Sequence, residues 1–239
     1  MKFQNAQIEK KFRERGNIHI GYEQTIKPYH QKIAELVVKY TSESATVLDI
    51  GCGVGHILSE INRRNPNLKL FAADIDKTTL NITQNRTKIE KTIKIDSIEN
   101  LFESDSTYDA IVLSHVLEHT HNPLDNVKSM MGMLKPGGIL VLAVPNPVRL
   151  PVILGNLTQK HYVNRGHIYA WDRSHWINFL ENIAQLDVIE YSQDFFPIPI
   201  LTKLQFMKPV EIMLGQIFPW LTFSNIAAIS NGDKRYQNN

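Results

Sequence analysis

Short apolar runs alternate along the chain with longer stretches of helical spacing. Val47–Ile50, Leu68–Ala73, Thr92–Ile95, Tyr108–Leu113 and Ile139–Val144 are nearly unbroken runs of apolar or β-branched residues, and they read as strands. Between them, Gly55–Arg64, Lys77–Glu90 and Asn122–Leu134 read as helices, the first ending near Asn65 and Pro66. Lys135, Pro136, Gly137 and Gly138 read as a helix stop and turn. Strands lacking polar alternation are covered on both faces, so the pattern predicts a doubly wound, Rossmann-like α/β fold with a mostly parallel sheet. Upstream, residues 25–40 have helical spacing, with Ile33, Leu36, Val37 and Tyr40 on one face, broken early by Pro28, and TSES after them is a loop.

Beyond Pro145 the pattern changes. Pro145, Pro147, Pro151, Gly155 and Gly166 interrupt residues 145–172, which are rich in aromatics and histidines. Residues 173–184 read as a helix, Asp187–Ser192 as a strand, and Phe223–Ser230 as a last strand. Leu201, Leu204, Met207, Val210, Leu214 and Ile217 make 198–218 an amphipathic helix. The expected organisation is an N-terminal helical cap segment, 1–44, and one domain, 45–239, with insertions at about 146–172 and 196–220.

Composition adds exclusions. The chain has 239 residues, 43% hydrophobic and 21% charged, with a formal net charge of +2. That size supports a sizeable core without staples. The single cysteine, Cys52, excludes an intrachain disulfide and a cysteine-rich zinc site. The near-neutral charge does not point to nucleic acid as a partner. Lys10, Lys11, Arg13 and Arg15 are interleaved with Glu9 and Glu14, as on a solvated helix face. MKFQNAQIEKKF has no apolar signal region and no apolar run reaches membrane-spanning length, so a cytoplasmic location is expected.

The most informative stretch is VLDIGCGVGHIL, in which Gly51, Gly53 and Gly55 follow a strand directly. In an open parallel sheet such a turn lets backbone approach a ligand beyond the strand ends. No Lys-Ser or Lys-Thr follows, so this is not a P-loop, and its spacing is shorter than the dinucleotide fingerprint. Asp74, 19 residues after Gly55, closes the next strand where an acid would take ribose hydroxyls. Asp76 reads as a helix cap before Lys77.

VLDIGCGVG, FAADID, IDSIENL, YDAIVLSHVLEH and LKPGGILVLAVPN follow one another as in class I S-adenosylmethionine-dependent methyltransferases, and the chain resembles their small-molecule O-methyltransferase-like branch. The resemblance is close over 45–146 and looser through GHIYAWDRSHWINFLE. It implies a seven-stranded sheet with an antiparallel last strand, Phe223–Ser230, paired with Asp187–Ser192. It implies that Asp49, Gly51, Cys52, Gly53 and Gly55 form the loop under the donor's methionine. Asp74 then holds the ribose, with Ile75 beside it. Asp96, Ser97 and Ile98 meet the adenine, and Ser114 and His115 face the methionine group. Cys52 itself reads as packing rather than as a nucleophile.

The implied reaction is an in-line displacement of the methyl from S-adenosylmethionine. The acceptor would be a hydroxyl of a sugar, glycan precursor or secondary metabolite. Positioning supplies much of such a rate, and a base helps an alcohol lose its proton. His119 and His167 are the candidate catalytic residues among a set that includes His115, His121, His161 and His175. Tyr169 and Trp171, with Tyr162 and Trp176 nearby, are the candidate acceptor contacts. The 198–218 helix offers at most weak membrane-surface contact, which would matter for a lipid or quinone acceptor. HVLEH spells a zinc-protease pattern but lies at a strand end rather than on a helix, so it is not read as one.

A second resemblance is to RNA 3′-terminal 2′-O-methyltransferases, which hold a divalent ion with E-x-x-E-H and a later H-x-F-x-W segment. Here His115, Glu118 and His119 precede His167-Ile-Tyr-Ala-Trp171, and His115 replaces the first glutamate. That replacement removes an oxygen ligand, so no metal set is assigned. A cofactor-binding module without catalysis is the third reading.

Overall fold

Seven strands pair into one sheet. The computed structural model describes residues 25–101, 107–158, 166–198 and 205–232. In chain order the main elements are α1 (Pro28–Tyr40), β1 (Thr46–Ile50), α2 (His56–Arg64), β2 (Lys69–Asp74), α3 (Lys77–Arg86) and β3 (Lys91–Lys94). They continue with α4 (Ile98–Leu101), β4 (Tyr108–Ser114), α5 (Pro123–Gly132), β5 (Leu134–Pro145) and α6 (Leu150–Thr158). The last are α7 (Arg173–Asn178), β6 (Asp187–Ser192), α8 (Lys208–Ile217) and β7 (Ser224–Ser230). The strand order is β3-β2-β1-β4-β5-β7-β6. β1 to β5 run parallel, while β7 is antiparallel to both β5 and β6, as the resemblance implied. The order reverses between β1 and β4, and at that switch point the loops after the two strands part and leave a crevice.

The core has two layers, one on each sheet face. On one face, Ile33, Leu36 and Val37 of α1 are wholly buried against Val47, Ile57, Ile61 and Val141. Each such side chain contributes about 1.5–3 kcal/mol on burial. On the other face Leu48, Ile50, Leu113 and Met130 pack with Trp171, Trp176 and Phe179.

Several local expectations change. Lys135, Pro136, Gly137 and Gly138 lie inside β5 rather than before it. Tyr108 pairs with Leu134 and Ala110 with Ile139, so these residues are a bulge held by pairing on both sides, with Gly137 at φ +76. The second helix ends at Arg86 instead of running to Glu90, because Thr87 turns extended and Lys91 already pairs with β2. Residues 173–184 split into α7 and a wider turn, Phe179–Ile183. Leu117–His119 of HVLEH form a 3-10 turn rather than a loop. An unexpected helix, α6, occupies part of 145–172, with Pro151 in its first turn where a missing N–H costs nothing. The amphipathic helix of 198–218 is α8, preceded by a 3-10 turn, Gln205–Met207. Lys10, Lys11, Arg13, Arg15, His161, Tyr162, Leu201 and Leu204 lie outside the described residues. No helix among the described residues is long and apolar enough to cross a membrane.

Candidate functional site

The C-terminal ends of β1, β4 and β5 border an open cleft of about 390 Å³, within the range of small-molecule sites. Its floor is the glycine loop. Gly51, Gly53 and Gly55 all have positive φ, +70, +51 and +77, a region side chains rarely adopt. Gly51 and Cys52 N–H both donate to Ala73 O, at 2.8 and 3.1 Å, tying the loop to β2. A Cβ on Gly51 would collide with Val116, and one on Gly55 would meet Thr83 Cγ2 at 2.6 Å. The space that side chains would fill is taken by neighbours beneath, leaving bare backbone on the cleft side.

Asp74, the last residue of β2, accepts from Gly53 N at 2.9 Å and from Asp76 N at 2.9 Å. It therefore shapes the loop. Burial pushes its carboxyl upward. Asp49 lies under the loop, buried, with Oδ2 unpartnered, and burial and then Asp74 raise its carboxyl well above the usual range. Cys52 is buried near Thr83, and burial drives its thiol far up, so it is packing rather than a nucleophile. On the β2–β3 side, Ile75 is 59% exposed beside Asp74, an apolar face in the open. Ile95 N donates to Asp74 O, which keeps the two strand ends level. Asp96 is exposed and paired with Lys94, Ser97 follows it, and Ile98 faces the core.

Across the cleft stands a polar group that two segments build. Ile168 N and Tyr169 N both donate to Glu118 O, at 2.7 and 3.2 Å, docking the 166–171 segment on the turn after β4. His119 Nδ1 bonds Gly166 O at 2.8 Å. With its proton on that nitrogen, Nε2 is left as an acceptor. His119 Nε2 and His167 Nε2 lie 3.8 and 3.9 Å from Glu118 Oε1, beyond hydrogen-bond reach. The two rings are edge-to-face at 4.8 Å. Glu118 is 1% exposed, and neither carboxylate oxygen has a hydrogen-bond partner. Burial raises its pKa to about 8 and lowers that of His167 to about 4. One ligand atom from each of Glu118, His119 and His167 lies within 4.8 Å of the others.

The third wall is aromatic. His115 sits at φ +56 just past β4, its Nε2 2.9 Å from Ser224 Oγ. Its ring is nearly parallel to Tyr29, at 4.7 Å, and to Phe223, at 5.8 Å. Tyr29 and Phe223 are themselves parallel at 5.7 Å. Burial, then the Arg149 and Lys27 charges, hold His115 down to about 3. His30, stacked on His56, is pressed by burial to about 2.

Of the residues singled out from sequence, Gly51, Cys52, Gly53, Ser114, His115, His119 and His167 line the cleft together. Asp49, Gly55, Asp74, Ile75, Asp96, Ser97 and Ile98 lie outside that lining, beneath the loop or toward the β2–β3 side, and Tyr169 and Trp171 do not line it either. Trp171 is buried against Trp176 and Phe179, and Tyr169 stacks on it at 5.3 Å with its hydroxyl on His121 O. Sequence reasoning missed Lys27, Tyr29, His30, Arg149 and Phe223 as wall residues. Lys27 and Tyr29 flank Pro28, which the spacing marked as an early break in the helix and which instead opens α1 at its first position.

A family model described as "Methyltransferase domain" matches residues 22–190. The mitochondrial ubiquinone biosynthesis O-methyltransferase of Dictyostelium discoideum is 24% identical over 65% of this chain and 51% of its own length. A ubiquinone biosynthesis O-methyltransferase of Vibrio parahaemolyticus is 31% identical over 57% of this chain and 61% of its own. The chain thus spans about half to three fifths of the curated relatives it matches. The plantazolicin methyltransferase BpumL, solved with a monoazolic desmethylPZN analogue and SAH, is similar in fold at TM-score 0.63 and 16% identity, over 96% of this chain and 93% of that one.

Proposed function

The chain belongs to the methyltransferase-domain family, and on that premise we propose that it moves the methyl group of S-adenosylmethionine to a hydroxyl of a small-molecule acceptor. One observation carries the reading. A side-chain-free loop closed by Asp74 and an imidazole with an accepting nitrogen, His119 Nε2, border one cleft.

The donor supplies a methyl already activated by a sulfonium. The protein's share is alignment, water exclusion and removal of one proton. Gly51 and Gly53 let the backbone meet the methionine portion, Asp74 accepts from the ribose hydroxyls, and Ile75 supports the adenine face. The acceptor's hydroxyl gives its proton to His119 Nε2 as its oxygen takes the methyl and the sulfur leaves with its electron pair. His167 and Glu118 border that proton's site. Positioning of this kind is worth up to roughly 7–11 kcal/mol, and a base about 10²–10⁴-fold more. The parallel ring faces of Tyr29, His115 and Phe223 favour a planar unsaturated ring over a sugar among the acceptor classes. The names of the curated relatives support oxygen as the methylated atom. A base across the cleft also argues against a silent binding module.

The test is a labelled-methyl transfer assay against fractionated extract of the source cells, with mass spectrometry of the labelled product. No labelled product in any fraction, from protein that binds S-adenosylhomocysteine, would leave only the binding module.

The grouping of Glu118, His119 and His167 favours a second reading, in which these three hold a divalent cation. The orphaned, buried carboxylate fits such a role, and the Gly166 bond orients His119 as a ligand. Two nitrogens and one carboxylate suit a borderline cation better than Mg²⁺. A bound cation would supply charge that lowers the acceptor hydroxyl's pKa. His115, the fourth position of the RNA-enzyme resemblance, instead bonds Ser224, so the cluster does not favour an RNA acceptor. Loss of turnover after dialysis against a chelator, restored by metal, supports this reading; indifference removes it.

A further inference from the structure

α8 turns an apolar stripe away from the molecule. Val210, Met213 and Ile217 of α8, Phe206 before it and Trp220 after it recur at steps of four, three, four and three residues. All five are exposed, from 37% at Val210 to 74% at Phe206. Only Val210 and Ile217 belong to the apolar face that the sequence spacing predicts for 198–218. The helix cannot roll to bury the stripe, because its other side is locked. Glu211 is wholly buried, its Oε1 accepts from Ile198 N at 3.1 Å, and its backbone O accepts from Phe196 N at 2.8 Å. A Cβ on Gly215 would lie 3.1 Å from Phe195 Cα, so the helix rests directly on backbone there.

α6 adds to this surface. Asn146 Nδ2 donates to Trp220 O at 2.8 Å and to Thr222 O at 3.0 Å, which sets the approach to α6 beside the end of the stripe. α6 is apolar, carries no ionisable residue and buries none of its side chains, and Leu157 is 77% exposed. A helix this short is marginal in water unless one face packs against something.

The spacing and the charge of the stripe identify its occupant. Alternating steps of three and four are the seam of a helix pair, narrower than the face a helix lays on lipid. Lys208 and Glu211 are the only ionisable residues of 205–220, and they pair with each other at 2.9 Å, with Lys208 Nζ 4.9 Å from the Phe195 ring centre. A membrane-surface helix has a polar face rich in Lys and Arg, which α8 lacks. A second copy of the chain meets the same uncharged surface across a two-fold axis, with no like charges opposed. Together α8 and α6 offer apolar area on the order of the 800 Å² per partner of a stable interface.

We infer that α8 is the seam of a homodimer, in which two copies of the helix pack antiparallel about a two-fold axis at Met213. Phe206 and Trp220 each stand seven residues from Met213, so the axis sets Phe206 against the partner's Trp220. Val210 and Ile217, three and four residues from Met213, meet in the same way.

The test weighs the full chain by light scattering on a sizing column over a range of concentrations, then probes the register by cysteine cross-linking. The parent is a dimer that dissociates on dilution. Met213→Glu sets two carboxylates face to face and weakens the dimer at least about hundredfold, and Trp220→Ala weakens it roughly tenfold, both with the parent's far-UV circular dichroism. Met213→Cys forms an interchain disulfide on mild oxidation. Phe206→Cys does not, because its two copies stand about 20 Å apart along the paired helices. Cys52 is buried, so the parent chain serves as the blank. A parent that is monomeric at every concentration overturns the inference, as does a dimer indifferent to Met213→Glu. Equal cross-linking through Phe206→Cys and Met213→Cys, or none through Met213→Cys, overturns the antiparallel seam. Binding of a monomeric parent to neutral or anionic phospholipid vesicles, lost in Met213→Glu, overturns it in favour of a lipid surface.

Discussion

His167 Nε2 lies 3.9 Å from Glu118 Oε1, a neighbour too far to satisfy it. An acid with no partner, buried among histidines held neutral, is a local cost to the fold. Such costs gather where a ligand completes the arrangement. Replacing Glu118 by apolar Met of similar length therefore separates stability from function. Glu118→Met raises the melting temperature by about 2–4 °C, the equivalent of about 1 kcal/mol. It lowers turnover at least about tenfold with donor affinity unchanged. Calorimetry and a transfer assay check both; a lower melting point with normal turnover would make Glu118 a structural residue.

His119→Ala and His167→Ala reduce turnover with the true acceptor, His119→Ala by about 10²–10⁴-fold, the usual worth of a base. Both leave S-adenosylhomocysteine affinity near its starting value. If both variants turned over at the original rate, the pair would belong to the scaffold that docks Gly166 on the turn after β4.

Asp74→Ala weakens S-adenosylhomocysteine by roughly 10–100-fold, from the loss of charge-assisted bonds to the ribose. Asp74 also holds Gly53 N, so the same variant loosens the loop. Titration calorimetry reads the affinity directly, and an unaltered value would remove Asp74 from the donor site.

Gly51→Ala destabilises the fold by about 1–2 kcal/mol from the left-handed backbone alone. The collision with Val116 adds to it and shifts the loop that meets the donor. Urea unfolding with the donor product present and absent reports both effects; a variant as stable as the parent, with the parent's affinity, would contradict the geometry.

Asp194 predicts a pH-dependent stability. It is buried, its Oδ1 accepts from Phe195 N and Phe223 N, and its Oδ2 has no partner. Burial raises its pKa to about 7, against about 3.9 unfolded. The folded state thus binds the proton more tightly. The resulting stability is complete below pH about 4 and is lost as the pH rises through about 7, at up to about 1.4 kcal/mol per pH unit. Urea midpoints at pH 5 and pH 8, compared between the parent and Asp194→Asn, measure the share that Asp194 contributes; an unchanged difference in the variant would remove Asp194 as its source.

What the amino-acid sequence determined by itself is local. Unbroken apolar runs made β1, β2, β4 and β5 legible, because burial on both faces leaves no polar alternation. Gly51, Gly53 and Gly55 marked the loop, since positive φ at three such close positions is a requirement of the backbone itself. Asp74 followed from its place at the next strand end. Even the turn chemistry of Gly137 and Gly138 was visible, but not that pairing of Leu134 and Ile139 with β4 would fold it into a bulge.

The tertiary structure decided everything that depends on partners far away in the chain. Trp171 has the composition of an acceptor contact and is core, because Trp176 and Phe179 close over it. Glu118 is an ordinary glutamate until the 166–171 segment docks on its carbonyl and shuts its side chain away from water. Arg149 is unremarked in sequence and Phe223 reads only as the start of a strand, and they meet because β7 inserts antiparallel between β5 and β6. Conformational preference is a property of a few bonded neighbours, while burial, field and proton affinity are sums over side chains that only the folded sheet brings within a few ångströms.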